Sequence, residues 1–146
     1  MNDFEVEIYC DGACRGNPGP GGWGVVLRRG YHEEELNGFK KKTTNNEMEL
    51  TAAIEGLRTL KEKSVVKVVT DSNYVVQGMK EWIFSWSNNG WKTASKKPVK
   101  NKSLWQELKS IADQHLVEWT WVKGHAGHAG NERADMLANE AMDENL

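Results

Sequence analysis

Apolar and polar residues alternate from Glu5 to Tyr9, with Val6 and Ile8 set between Glu5 and Glu7, which is the period of a half-buried strand. This strand is expected to end near Asp11, because the glycine- and proline-rich run GACRGNPGPGG, Gly12 to Gly22, reads as a loop. Trp23 to Arg29 is short, apolar and β-branched. Gly30 separates it from a more polar strand at about Tyr31 to Phe39, so a hairpin and meander are expected. Thr44 or Asn45 can cap a helix through about Leu60, with Leu50, Ala53, Ile54, Leu57 and Leu60 on one face. Val65 to Thr70 reads as a buried strand stopping at Asp71. Short helical patterns follow at Asn73 to Gly78 and Glu81 to Trp86, and Asn88-Asn89-Gly90 breaks the chain. Ser103 to Gln114 is patterned as a helix and Leu116 to Val122 as a strand, and Asn131 can cap a last helix to about Met142. Three strands in a meander, then strands alternating with helices, predict an α/β domain with a mixed sheet covered by helices.

A length of 146 residues leaves room for one hydrophobic core and a single domain spanning 1 to 146. No apolar run approaches the roughly 20 residues needed to cross a bilayer, so no membrane association is expected. The acidic start, Met1 to Glu5, lacks the basic and apolar regions of a signal peptide, which points to the cytoplasm. Cys10 and Cys14 are too few for a disulfide framework. The net charge of −2 argues against a protein that coats nucleic acid nonspecifically. Its distribution is uneven, however. Six lysines and one acid, Glu81, lie between Lys80 and Lys102, giving +5 there and −7 elsewhere. Such a lobe is either a solvated face or a polyanion grip.

Asp11 and Asp71 each stand where an apolar strand gives way to a turn, and the ends of parallel strands form the ligand crevice of an open α/β sheet. Turn formation or helix capping more often accounts for an isolated Asp at such a place. Glu49, unlike Glu55 and Glu62, borders the apolar face of its helix. An acid near a helix start is also stabilised by the macrodipole. Asp135 follows the loop Gly124-His125-Ala126-Gly127-His128-Ala129-Gly130, whose histidines suit proton transfer or product release. Four carboxylates favour a hard cation, Mg²⁺ or Mn²⁺, over zinc. A zinc set of Cys10, Cys14, His125 and His128 fails because Cys10 and Asp11, adjacent on a strand, face opposite ways, and no compact histidine pair matches the cysteine spacing. The glycine-rich run lacks the Gly-Lys-Ser/Thr ending of a P-loop. It can instead bring Asn17 and backbone amides to a polynucleotide groove. Trp82, Trp86 and Trp91 interleave with the lysines. Flat rings at that spacing serve either as core or as contacts for sugars and bases.

These segments together resemble the bacterial type 1 ribonuclease H family, ribonuclease HI. The matching stretches are DGACRGNPGPGGWG at 11 to 24, TTNNEMEL at 43 to 50, TDSNYVVQG at 70 to 78, GWKTASKKPVKN at 90 to 101 and WVKGHAGHAGNERAD at 121 to 135. The resemblance implies a five-stranded mixed sheet of order 3-2-1-4-5 flanked by helices. It also implies an endonuclease that hydrolyses the RNA strand of an RNA–DNA hybrid, leaves 5′-phosphate and 3′-hydroxyl ends, and takes part in primer and R-loop removal. Asp11, Glu49, Asp71 and Asp135 would hold two Mg²⁺ ions, with Mn²⁺ able to substitute, and His125 would assist proton transfer or product departure. Asn17, Asn45, Asn46 and Asn73 resemble residues that meet sugar and base edges in the minor groove, where the RNA 2′-OH is sensed. Thr44 and Asn101 resemble a phosphate pocket for the DNA strand. Trp82, Trp86, Trp91, Lys92, Lys96 and Lys97 resemble part of a basic handle at about 80 to 102. A monomer is expected, with no separate hybrid-binding domain, so the handle serves alone. Two features depart from the family pattern: Ser87-Asn88-Asn89 stands where relatives often carry basic residues, and Glu47 occupies a commonly basic position beside the groove. A hybrid binder without catalysis would lack a carboxylate, and none is missing. A resolvase or integrase of the same fold would not be expected to match the glycine, handle and histidine stretches together.

Overall fold

The computed structural model describes residues 4–124 and 127–146. Five strands, β1 (Val6–Cys14), β2 (Gly19–Arg29), β3 (His32–Thr43), β4 (Val65–Thr70) and β5 (Leu116–Trp121), form one sheet in the order β3-β2-β1-β4-β5. The first three pair antiparallel, and β1, β4 and β5 run parallel. The expected mixed sheet and its order are therefore observed. Helix α1 (Asn45–Arg58) crosses one face and packs on β1, β2 and α4 (Lys102–Ala112). Helix α5 (Ala129–Asn145) covers β1, β2 and β3. Between these layers Ile8, Leu50, Leu57, Val66, Val68 and Leu108 are fully buried, each side chain contributing roughly 1.5 to 3 kcal/mol.

The run from Gly12 to Gly22 is not the loop that its composition predicts. β1 continues to Cys14, β2 begins at Gly19, and only 15 to 18 turn. Gly12, Gly22 and Gly24 are there because helices lie directly on the strands. A Cβ on Gly12 would meet the α1 backbone at Met48 and Glu49, one on Gly22 would meet the Ala138 carbonyl, and one on Gly24 the Ala134 carbonyl. At Gly12 and Gly22 glycine thus reports close packing and not a turn, whereas Gly16, at φ +79°, belongs to the short turn itself.

Residues 73 to 88 form one helical run rather than two separate patterns. Helix α2 (Asn73–Gln77) passes through a turn of π-helix (Gly78–Trp82) into α3 (Ile83–Asn88). The wide turn begins at Gly78, where a Cβ would strike the fully buried ring of Trp105 from α4. The last helix starts at Ala129, two residues before the expected cap, so Asn131 is a buried first-turn residue and His128 occupies the cap position.

Candidate metal centre and nucleic-acid groove

Asp11 lies inside β1 rather than at its end, since the strand runs on to Cys14. What ends near it is the parallel partner. β1 pairs with β4 only from Val6↔Val66 to Tyr9↔Val69, while its pairing with β2 continues through Asp11↔Gly24. β1 therefore projects past β4, and Asp71 follows directly on the last residue of β4, Thr70. On the α1 side the hydroxyl of Thr44 caps the helix by accepting from the Glu47 N–H at 3.2 Å. Glu49 follows one turn later, with a carboxylate oxygen accepting from the Gly12 N–H. Since Gly12 carries no side chain, the helix can come close enough for that bond.

One carboxylate oxygen from each of Asp11, Glu49 and Asp71 lies within 4.8 Å of the others. Asp135, in the second turn of α5, joins them at the wall of a groove of about 430 Å³, which also includes Asn45, Asn46, Ser72, Asn73 and Tyr74. Asp11 and Glu49 are each only 5 % exposed. Burial, followed by the neighbouring Glu49 and Asp71 charges, pushes the Asp11 carboxyl far above the ordinary carboxylate range. Burial likewise raises Glu49, and hydrogen bonding to Asp11 opposes that shift. Paired acids that resist ionisation in this way are short of positive charge. An all-oxygen donor set of this compactness fits Mg²⁺ or Mn²⁺. Cys10 is buried in the core, away from this groove, while Cys14 lies against the backbone carbonyls of Gly16, Gly19 and Thr43. His125 lies outside the described residues.

The groove continues past Asn45 and Asn46 into a second hollow of about 520 Å³, lined by Asn17, Pro18, Thr44 and Lys100 as well as the two asparagines. The Asn17 side chain accepts from the Asn45 N–H at 3.1 Å, which fixes the turn against the start of α1. Asn101 adopts a left-handed backbone, and its amide donates to the Tyr74 hydroxyl at 3.1 Å. Trp105 donates to the same oxygen at 3.0 Å. Tyr74 thus joins the acid-lined groove to the root of the basic segment, a role that nothing in its sequence context marks. Glu47 accepts from Thr43 at 3.0 Å and from Lys40 at 3.4 Å, so its charge is partly balanced.

Trp82, Trp86 and Trp91 are half-buried and form a ladder, with centroids 5.8 Å apart for the first pair and 6.3 Å for the second. Trp86 also packs on Trp105 at 5.3 Å. These rings form the spine of the basic segment, whereas Lys92, Lys96, Lys97, Lys100 and Lys102 are all exposed around it. The segment folds back on itself through an antiparallel bridge between Lys92 and Pro98.

A mixed sheet of this order, with a carboxylate cluster beyond the carboxyl end of its fourth strand, defines an α/β protein with an acidic cluster able to hold a metal ion, set in an open groove. A family profile described as RNase H matches residues 3–143, and the chain belongs to that family. It is 63 % identical over 137 residues to a ribonuclease H of Neisseria meningitidis serogroup C, the match covering 94 % of each chain. The crystal structure of LC9-RNase H1, a type 1 RNase H with the type 2 active-site motif, superposes with a TM-score of 0.88 at 36 % identity, covering all of this chain and 75 % of the other. LC11-RNase H1 in complex with an RNA/DNA hybrid matches with a TM-score of 0.74 at 28 % identity, over 97 % of this chain and 99 % of its own.

Proposed function

We propose that the chain is an endonuclease that hydrolyses the RNA strand of RNA–DNA hybrids at the Asp11, Glu49, Asp71 and Asp135 cluster, leaving 5′-phosphate and 3′-hydroxyl ends. The observation that carries this reading is the convergence of three carboxylate oxygens within 4.8 Å at a groove of asparagines, in a chain of the RNase H family. The four acids would hold two Mg²⁺ ions, for which Mn²⁺ can substitute. When bound, such ions activate a water and stabilise the leaving 3′ oxygen. Asp11 and Glu49 supply the buried negative charge that recruits them, and Gly12 orients Glu49. Asn17, Asn45, Asn46 and Asn73 offer amide donors and acceptors to sugar and base edges, which suits recognition of a 2′-OH. Lys92, Lys96, Lys97 and Lys100 neutralise phosphates, Thr44 and Asn101 flank the DNA-strand phosphate, and His125 assists proton transfer. The tryptophans hold the handle in shape and offer their exposed edges to the hybrid. No helix among the described residues is long and apolar enough to cross a membrane. The protein acts as a cytoplasmic monomer in primer and R-loop removal.

Incubating the protein with end-labelled RNA–DNA hybrid, single-stranded RNA and double-stranded DNA, in Mg²⁺, Mn²⁺ or chelator, tests this. Metal-dependent cleavage confined to the hybrid is expected. Cleavage in chelator, or equal cutting of single-stranded RNA, would refute it.

The exposed Ser87-Asn88-Asn89 segment and Glu47 lower the positive field along the groove. Hybrid affinity should therefore fall less steeply with salt than in a variant carrying Ser87→Lys and Asn88→Lys. Each added lysine that meets a phosphate steepens the log–log slope by about 1. A salt series of binding constants decides the matter, and equal slopes would rule the idea out.

A further inference from the structure

The three clustered acids are not held equally. Asp11 sits in a strand paired with β2, and Glu49 sits inside α1 with the Gly12 N–H on its carboxylate. Asp71 falls in the two-residue gap between β4 and α2, where neither a ladder nor a helix fixes the backbone. The direction of its carboxylate therefore depends on what pins that gap.

The pin comes from the neighbouring strand. The register between β4 and β5 ends at Thr70↔Trp121, and the Val122 N–H reaches on to the Thr70 carbonyl at 3.0 Å. From that position the Trp121 indole N–H donates to the Asp71 carbonyl at 3.0 Å, a bond spanning 50 residues of sequence. Trp121 is 49 % exposed, so core packing does not account for a tryptophan here. On the other side of Asp71, a Cβ on Gly124 would come within 2.6 Å of its carboxylate, so the chain leaving β5 also lies close against the acid. The Thr70 hydroxyl accepts from the Ser72 N–H at 3.1 Å, and the Ser72 hydroxyl in turn caps α2. The Thr70 carbonyl is thus held by the β5-side backbone and the Ser72 N–H by the Thr70 hydroxyl, whereas the Asp71 carbonyl is held by a side chain, the Trp121 indole.

We propose that Trp121 is a positioning residue for the metal site, its indole N–H setting the backbone of Asp71 and hence the direction in which that carboxylate is presented. The inference rests on Asp71 being a metal ligand. Partners that orient a ligand in this way change metal affinity by roughly 10 to 100-fold when removed. Trp121→Phe deletes the donor while keeping a ring. Trp121→His restores a donor, because the imidazole Nε2 stands at the same number of bonds from the backbone as the indole Nε1.

Mn²⁺ binding to the substrate-free protein, read by titration calorimetry at pH 7.5, is the direct test, with Asp71→Asn measured alongside. Trp121→Phe is expected to weaken Mn²⁺ about tenfold or more and to raise the Mg²⁺ requirement for cleavage in parallel. It should leave KM for hybrid at saturating Mg²⁺ unchanged, and Trp121→His should recover most of the affinity. Wild-type affinity in Trp121→Phe would overturn the proposal, and so would an equal loss in both variants, which would assign the effect to the indole's bulk. Unchanged Mn²⁺ binding in Asp71→Asn would instead overturn the assignment of Asp71 as a ligand, whatever the tryptophan variants do.

Discussion

Replacing Asp11 with asparagine is expected to lower cleavage by about a thousandfold and, at the same time, to make the metal-free protein more stable. On the proposed metal-dependent reading, the loss follows from removing a charged ligand from a site whose ions would stabilise developing charge by several kcal/mol, each 1.36 kcal/mol being a factor of ten. The gain in stability has a different origin. In the metal-free fold Asp11 is buried against Glu49 and Asp71, and its affinity for a proton is raised by that burial and by those charges. The unfolded chain has no such environment, so its carboxyl titrates near about 4. The folded state thus binds the proton more tightly than the unfolded state. This contribution is fully present below the unfolded value and is lost progressively as pH rises above it. Asparagine carries no charge, and its amide can donate to the remaining carboxylates. In chelator the variant should therefore exceed the wild type by roughly 1 to 2 kcal/mol near pH 8, or about 3 to 8 °C in Tm, with the difference shrinking toward pH 4. Saturating Mg²⁺ should reverse the order, because only the intact cluster is stabilised by binding. Thermal melts across pH, with and without metal, would contradict this account if the variant melted lower in chelator or the gap narrowed at high pH.

This opposition between function and stability explains why the acids were individually ambiguous in the sequence. Asp71 and Glu49 stand where a helix cap or an N-terminal acid would be ordinary, and only the fold, which brings β1, α1 and the segment after β4 together, shows that they meet Asp11. Periodicity located β4 at Val65 to Thr70 without error, because a buried parallel strand leaves an uninterrupted β-branched run. It failed between Gly12 and Gly22 because local composition carries no record of the helices that lie on those strands. Trp121 and Tyr74 were invisible for a related reason. Their hydrogen bonds, to Asp71 and from Asn101 and Trp105, join residues 27 to 50 positions apart. No local pattern encodes such a partner, so both looked like ordinary strand and helix residues. Asn131 looked like a cap because its residue type favours one, and tertiary packing placed it in the buried first turn instead.

The glycine run provides the second large expected effect, because it couples the sheet to the site. Gly24 pairs with Asp11 across β1 and β2, and its missing side chain is what lets α5 lie on the sheet. In Gly24→Ala the new methyl would collide with the Ala134 carbonyl and come within 2.8 Å of the Leu137 Cβ and 2.9 Å of the Ala138 nitrogen. Two of these three atoms are helix backbone, which no rotamer change can move. Relief requires α5 to lift away from β2, carrying Asp135, the neighbour of Ala134, away from Asp11. The expected cost is about 3 kcal/mol or more, at the upper end of overpacked cores. Any protein that still folds should also need more Mg²⁺ for cleavage. Gly30→Ala separates this steric effect from the ordinary conformational one. Gly30 has φ +59° with nothing within 4 Å of an added Cβ, so only left-handed strain applies, about 1 kcal/mol, with no change in metal requirement. Urea unfolding of the two variants beside wild type provides the measurement. If Gly24→Ala proved no less stable than Gly30→Ala, direct contact between α5 and β2 would not be what requires glycine at position 24.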